Sequence, residues 1–189
     1  MRRNAIRSRL GPQPSVPDPR RHLLEAVLAF ARAAQSSPGV QRIALLGSLT
    51  TDKPVPKDAD VLVTIEAAMD LSGLARLGRR LKGTAQTINL GADIFLADRA
   101  DRYLGRICHY RECHTRVACR ASHCGQRQHL NDDLQIITLS PALISAPPVD
   151  LWPRIVRRGA VPADTEALLL AKLEMDETLR DGKRAPDMS

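Results

Sequence analysis

Residues 42–66, RIALLGSLTTDKPVPKDADVLVTIE, decide the fold. Ile43 to Leu46 reads as a buried strand that stops at Gly47-Ser48. A polar loop with Pro54 and Pro56 follows, and Asp58 and Asp60 open a second strand continued by Val61, Leu62, Val63 and Ile65. Strand side chains alternate with period two, so Asp58 and Asp60 leave the same face while Ala59 and Val61 leave the other. Two carboxylates held side by side repel, and a divalent cation between them makes both anionic forms favourable. Hard oxygen ligands suit Mg²⁺ or Mn²⁺ rather than a soft metal. The Gly47-Ser48 step supplies the complement. Glycine lets backbone approach an anion closely, and adjacent N–H groups with a serine hydroxyl hold phosphate oxygens, especially at a helix N-terminus. Carboxylates for metal beside a phosphate cradle are the equipment of phosphoryl or nucleotidyl transfer.

Gly47-Ser48, nine residues, then Asp58-Ala59-Asp60 and an apolar run resembles the signature of the nucleotidyltransferase superfamily. That superfamily includes DNA polymerase β, the aminoglycoside nucleotidyltransferases and the minimal nucleotidyltransferases of toxin–antitoxin pairs. The resemblance covers roughly residues 40–98 and implies a third carboxylate on a later apolar strand, which Asp93 in Gly91-Ala92-Asp93-Ile94-Phe95-Leu96 matches. Asp98 is its rival if the register shifts. The chain departs from the family after Gly47-Ser48, carrying Leu49-Thr50-Thr51-Asp52-Lys53 where an Ala-Arg-Gly-like stretch often stands. An isolated Asp-x-Asp reads as a solvated strand entrance. Joined to Gly47-Ser48 and to Asp93 inside an apolar strand, where an unpaired charge is costly, it reads as a site. The resemblance implies that Asp58 and Asp60 hold two Mg²⁺ ions and that Gly47 and Ser48 bind the β and γ phosphates of a nucleoside triphosphate. It further implies that Asp93 binds the catalytic metal and helps activate the acceptor hydroxyl.

Across the 189 residues, 43 % are hydrophobic and only 3 % aromatic, so the core is aliphatic and stacking platforms for single-stranded nucleic acid are scarce. A formal charge of +7 and a pI near 9.7 favour polyanionic partners, although no run of five or six basic residues concentrates that charge. No apolar run approaches the ~20 residues of a membrane span and no secretory segment follows the first arginines, which predicts no membrane partner and a cytoplasmic location.

Residues 1–19 combine basic charge with four prolines and read as a disordered arm. Leu23, Leu24, Val27, Leu28, Phe30 and Ala31 recur at helical spacing between Arg20 and about Ser36. Asp70 to Lys82 reads as a second helix closed by Gly83, with Arg76, Arg79, Arg80 and Lys82 as a basic face that is either solvated or in contact with an anionic substrate. Thr84 to Leu90 and Leu134 to Leu139 read as further strands, and Gln126 to Asp133 as a loop. Prolines 141, 147, 148 and 153 break the next segment into irregular turns around Trp152. Asp164 to about Arg180 reads as the last helix.

All four cysteines, Cys108, Cys113, Cys119 and Cys124, fall within seventeen residues, in or beside which lie four of the five histidines. With no secretion signal, such clustering points to metal rather than disulfides. A structural Zn²⁺ held by the four cysteines, with His109 or His123 replacing one thiolate as the alternate, would order a segment poor in apolar residues. The gaps of four, five and four residues match no finger class, so free thiols in a surface loop are the competing reading.

These readings give an α+β domain: a mixed β-sheet of the nucleotidyltransferase type with helices packed on one face, plus a zinc-type loop. Its organisation is an arm (1–19), a nucleotidyltransferase-like domain (20–140, with the Cys/His loop at 106–130), and an irregular connection with a C-terminal helix (141–189). The expected function is metal-dependent transfer of a nucleoside monophosphate from an NTP to an acceptor hydroxyl, with RNA or protein as candidate acceptors. The alternatives are a catalytically inactive nucleotidyltransferase fold used as a binding or antitoxin-like module, and a zinc-loop nucleic-acid-binding protein.

Overall fold

The structure, a computed structural model, describes residues 18–113, 127–132 and 134–184. Asp18 starts the first helix, α1 (Pro19–Ala34): its carboxylate accepts the backbone N–H groups of Arg20 at 3.0 Å and Arg21 at 3.4 Å, and Pro19 needs no such partner. Leu23, Leu24, Val27, Phe30 and Ala31 lie on one stripe and are buried. The chain then enters β1 (Val40–Leu46), makes a single 3-10 turn (Gly47–Thr50), and returns through a loop into β2 (Asp58–Ile65), antiparallel to β1 from Val40 opposite Ile65 to Leu46 opposite Asp60.

A parallel neighbour needs a crossover, which α2 (Ser72–Gln86) supplies before β3 (Gly91–Ala97) pairs with β2. β4 (Tyr103–Ile107) and β5 (Leu130–Asn131) extend that edge; α3 (Pro141–Ser145), β6 (Val149–Trp152) and β7 (Val156–Arg157) follow, and β6 pairs with β1. The result is a seven-stranded mixed sheet in the order β5-β4-β3-β2-β1-β6-β7. The described residues end in α4 (Ala163–Thr165), a π-helical stretch (Glu166–Leu170) and α5 (Ala171–Arg184).

Strand alternation sorts the interior into two layers. Ile43, Leu45, Ala59, Val61, Val63, Ile65, Ala92, Ile94 and Leu96 form the main core with α1, α2 and Leu169, Leu170 and Leu173. Ala44, Leu46, Leu62, Phe95 and Ala97 form a smaller cluster with Ile144 of α3 on the opposite face. The long helices therefore share one face, as expected, and among the described residues α3, with Tyr103, Ile137 and Leu139, covers the other. Asp58 and Asp60 share the α3 face with Leu62. Among the described residues no helix is long and apolar enough to cross a membrane.

Several sequence expectations are corrected. Gly83 does not close α2: the Leu74, Leu81 and Ala85 stripe stays fully buried, the helix runs to Gln86, and the strand expected at Thr84–Leu90 is helix end and turn, with Asn89 at φ 60°. The strand expected at Leu134–Leu139 is absent, because β5 already pairs with β4; Leu134 and Ile136 are 47 % and 62 % exposed. The segment after Pro141 is not an irregular connection. Val149 and Leu151 enter the main core, and on the other face Asp150 binds Arg42 at 2.6 Å and Arg158 at 2.8 Å, which fixes β6 as a sheet strand. Of the arm expected over 1–19, Asp18 instead caps α1 and Pro19 opens it; residues 1–17 lie outside the described residues.

Candidate functional site

The site lies where β1 ends and β2 and β3 begin. Gly47 turns the chain at φ +65°, and a Cβ there would overlap Asp60 Oδ2, so both the backbone conformation and the close approach demand glycine. The turn is fastened by Thr50 Oγ1 donating to Gly47 O at 2.8 Å and Thr51 Oγ1 donating to Ser48 O at 3.1 Å. The Ser48 hydroxyl is buried and, among the described residues, has no hydrogen-bond partner.

Asp60 lies beside Asp93 in the parallel β2–β3 register, and Asp58 lies beside Gly91. Asp58, Asp60 and Asp93 therefore leave one face of the sheet at neighbouring positions. Partial burial, then the charge of Asp58, then that of Asp93, raise the Asp60 carboxyl from 3.8 to about 6. Arg106 of β4 holds Asp93, with Nη1 3.1 Å from Oδ1. The three carboxylates are neighbours rather than a closed ligand sphere: among the described residues no three His, Cys, Asp or Glu side chains converge as a metal site.

Asp98, the rival third carboxylate, sits five residues on, just past the end of β3, about 16 Å away at strand rise. Its carboxylate accepts the backbone N–H groups of Ala100 (2.9 Å) and Arg102 (3.0 Å) and the Arg102 side chain (2.7 Å). Burial raises its pKa, and these bonds outweigh that and leave it below the usual carboxylate range. Asp98 is a turn-forming residue.

Of the expected zinc ligands, Cys119, Cys124 and His123 lie outside the described residues. Cys108 is buried just past β4, and Cys113 Sγ accepts the backbone N–H of His129 at 3.0 Å; among the described residues the two form no disulfide. His109, the alternate ligand, turns to α2, where Lys82 Nζ donates to its Nε2 at 3.2 Å. Arg79 donates to Tyr110 O at 3.1 Å, so part of the basic face of α2 holds the start of the Cys/His segment.

Two functional candidates escaped the sequence reading. Arg106 was hidden because Tyr103–Ile107 carries too little alternation to announce a strand. Arg20 marked only the start of an amphipathic helix and is 7 % exposed.

No curated protein and no solved structure matches the chain. A model described as a family of unknown function, DUF6932, matches residues 2–132, and the chain belongs to that family.

Proposed function

We propose that the chain is a metal-dependent nucleotidyltransferase with the mixed sheet of that superfamily, moving a nucleoside monophosphate from an NTP to an acceptor hydroxyl. The observation that carries this reading is the gathering of Asp58, Asp60 and Asp93 on one sheet face against the Gly47 turn. The donor set fits Mg²⁺ or Mn²⁺: hard oxygens, with an Asp60 carboxyl raised first by burial and then by the charges of Asp58 and Asp93, which a cation would offset. Arg106 holds one oxygen of Asp93, so an ion would share or contest that carboxylate with it.

When bound, such ions stabilise the attacking and leaving oxygens of an in-line displacement at phosphorus. Gly47, exposed and without a side chain, leaves the backbone open to a polyphosphate, and Ser48 brings a hydroxyl whose hydrogen-bonding capacity is unspent among the described residues. Asp93 accepts the proton of the acceptor hydroxyl as its oxygen bonds to the α phosphorus, and the bond to the bridging oxygen breaks to release pyrophosphate.

The test is incubation with labelled ATP, CTP, GTP or UTP, Mg²⁺ and cell extract, comparing wild type with Asp58→Ala and Asp60→Ala. Label transfer abolished by both changes is expected; transfer indifferent to both overturns the catalytic reading.

The Arg106–Asp93 ion pair favours a second reading, a catalytically silent fold of this type that binds nucleotide as an antitoxin-like module, since a fixed cation already neutralises one carboxylate. Equilibrium binding of Mg²⁺-ATP without pyrophosphate release selects it. Structural zinc in the Cys108–Cys124 segment stands as a separate proposal. Elemental analysis giving less than about half a zinc per chain, with all thiols titratable, removes it.

A further inference from the structure

The loop after Gly47-Ser48, where the chain departs from the superfamily pattern, is held from behind by side chains of two distant segments. Arg20, second residue of α1, grips Asp164 of α4 with two bonds, Nε to Oδ2 at 2.5 Å and Nη2 to Oδ1 at 3.0 Å. A bidentate pair fixes the guanidinium plane as well as its position. Nη1 then donates to three main-chain carbonyls of the loop, Ser48 O at 3.3 Å, Thr51 O at 2.9 Å and Lys53 O at 2.8 Å. Thr165, fully buried, donates its hydroxyl to Leu49 O at 2.7 Å and also receives Arg20 Nη2 at 3.3 Å. Four loop carbonyls are thus satisfied by two side chains, and Asp164 aims one of them.

An ion pair that served only to tie α1 to the C-terminal helices would need the Arg20–Asp164 contact alone. Here the Nη1 hydrogens go to the loop backbone, and Nη2 also reaches the Thr165 hydroxyl. In a planar trans peptide the C=O and the next N–H point in opposite directions. Drawing the Thr51 carbonyl toward Arg20 therefore points the N–H of Asp52 away from it, while the N–H groups of Leu49 and Thr50 stay within the 3-10 turn. An outward N–H in a fixed loop that also carries the Ser48 hydroxyl is what an anion needs.

We propose that Arg20, Asp164 and Thr165 form a latch that sets the backbone of the Ser48–Lys53 loop to receive the polyphosphate of the nucleotide. This rests on the nucleotidyltransferase reading for its ligand and on hydrogen bonds alone for the latch. The three are positioning residues, acting through the loop.

The experiment uses the full chain as wild type, Thr165→Val, Thr165→Ser and Asp164→Asn. Amide hydrogen exchange of residues 47–53 is followed by mass spectrometry, with and without Mg²⁺-ATP, beside steady-state label transfer. Thr165→Val and Asp164→Asn each speed exchange in the loop by about tenfold, the scale of one lost hydrogen bond, while β1–β3 stay protected. Both raise KM for the nucleotide by a similar factor and hold kcat within about twofold, and Thr165→Ser, which keeps the hydroxyl, matches wild type. Loop exchange unchanged in both variants, a Thr165→Ser indistinguishable from Thr165→Val, or a change spread evenly over the chain overturns the latch. Should the latch variants loosen the loop while wild-type exchange and turnover ignore Mg²⁺-ATP, the latch stands and its nucleotide ligand is overturned.

Discussion

Asp60 and Asp93 are side-by-side partners in the parallel β2–β3 pair, their Cα atoms about one strand spacing, roughly 4.8 Å, apart. Such a register puts two acids on one face with no residue between them. Asp58 adds a third charge from two positions along β2, and Asp60, in the middle and partly buried, is pushed up to about 6. A sheet built only for stability gains nothing from this arrangement, because ionising Asp60 works against the fold.

That cost is measurable. The Asp60 carboxyl has a higher pKa folded (about 6) than unfolded (near 3.8), so the folded state binds the proton more tightly. Its contribution to stability is complete below about pH 4, declines as the pH rises toward 6, and is lost above that. Asp60→Asn removes the decline. In the presence of a chelator it should raise unfolding stability at pH 7 by on the order of 1–2 kcal/mol, after allowing for solvent screening, and leave it unchanged near pH 4. Urea denaturation across pH 4–8 checks this; an Asn variant no more stable at pH 7 than wild type contradicts the assigned cause.

Gly47 is tied to the same carboxylate. Alanine there places a methyl group against Asp60 Oδ2 at a φ of +65°. Because the obstacle is the end of a side chain, Asp60 swings aside and the backbone bears the left-handed strain, about 1–2 kcal/mol. Gly47→Ala should therefore keep a cooperative unfolding transition with a modestly lower midpoint, yet lose label transfer by about a hundredfold or more as Asp60 leaves its neighbours. A variant that keeps wild-type transfer would separate the glycine from the site.

The turn acid Asp98 makes the opposite prediction. Its bonds stay within residues 98–102, so Asp98→Ala should lower the melting temperature and leave the KM and kcat of transfer within about twofold of wild type. Thermal unfolding and steady-state kinetics on one preparation distinguish it from Asp93→Ala, where transfer is the quantity lost.

How much of this was legible in the residues follows from which forces were local. Strand alternation in β2 assigned Asp58 and Asp60 to one face without reference to any other segment. Apolar flanks around Asp93 likewise marked β3. Gly83 misled because a glycine stop is a local signal, and the burial of Leu81 and Ala85 against the sheet outweighs it. β6 was invisible because Val149 and Leu151 acquire meaning only once β1 offers an open edge. Arg106 and Arg20 were beyond reach for the same reason: their partners lie 13 and 144 residues away, and nothing near either arginine in the chain announces a carboxylate there.

The Arg106–Asp93 pair supplies the last prediction, since a guanidinium and a divalent cation compete for one carboxylate. With Arg106 in place, Nη1 at 3.1 Å relieves part of the repulsion between Asp93 and Asp60. Arg106→Met removes that relief and the charge that opposes a metal ion. In chelator the variant should be less stable than wild type by about 1–3 kcal/mol, the scale of a half-buried charge left without its partner. Mg²⁺ should restore more stability to it than to wild type, because binding to the folded state alone adds RT ln(1 + [Mg²⁺]/Kd) and its Kd is lower. Denaturation midpoints at several Mg²⁺ concentrations give both numbers. A variant destabilised equally with and without Mg²⁺ would mean that Arg106 is simply a packing residue and that the three aspartates do not share a cation. A larger Mg²⁺ response in Arg106→Met than in wild type, abolished by adding Asp60→Asn, places the ion among the carboxylates.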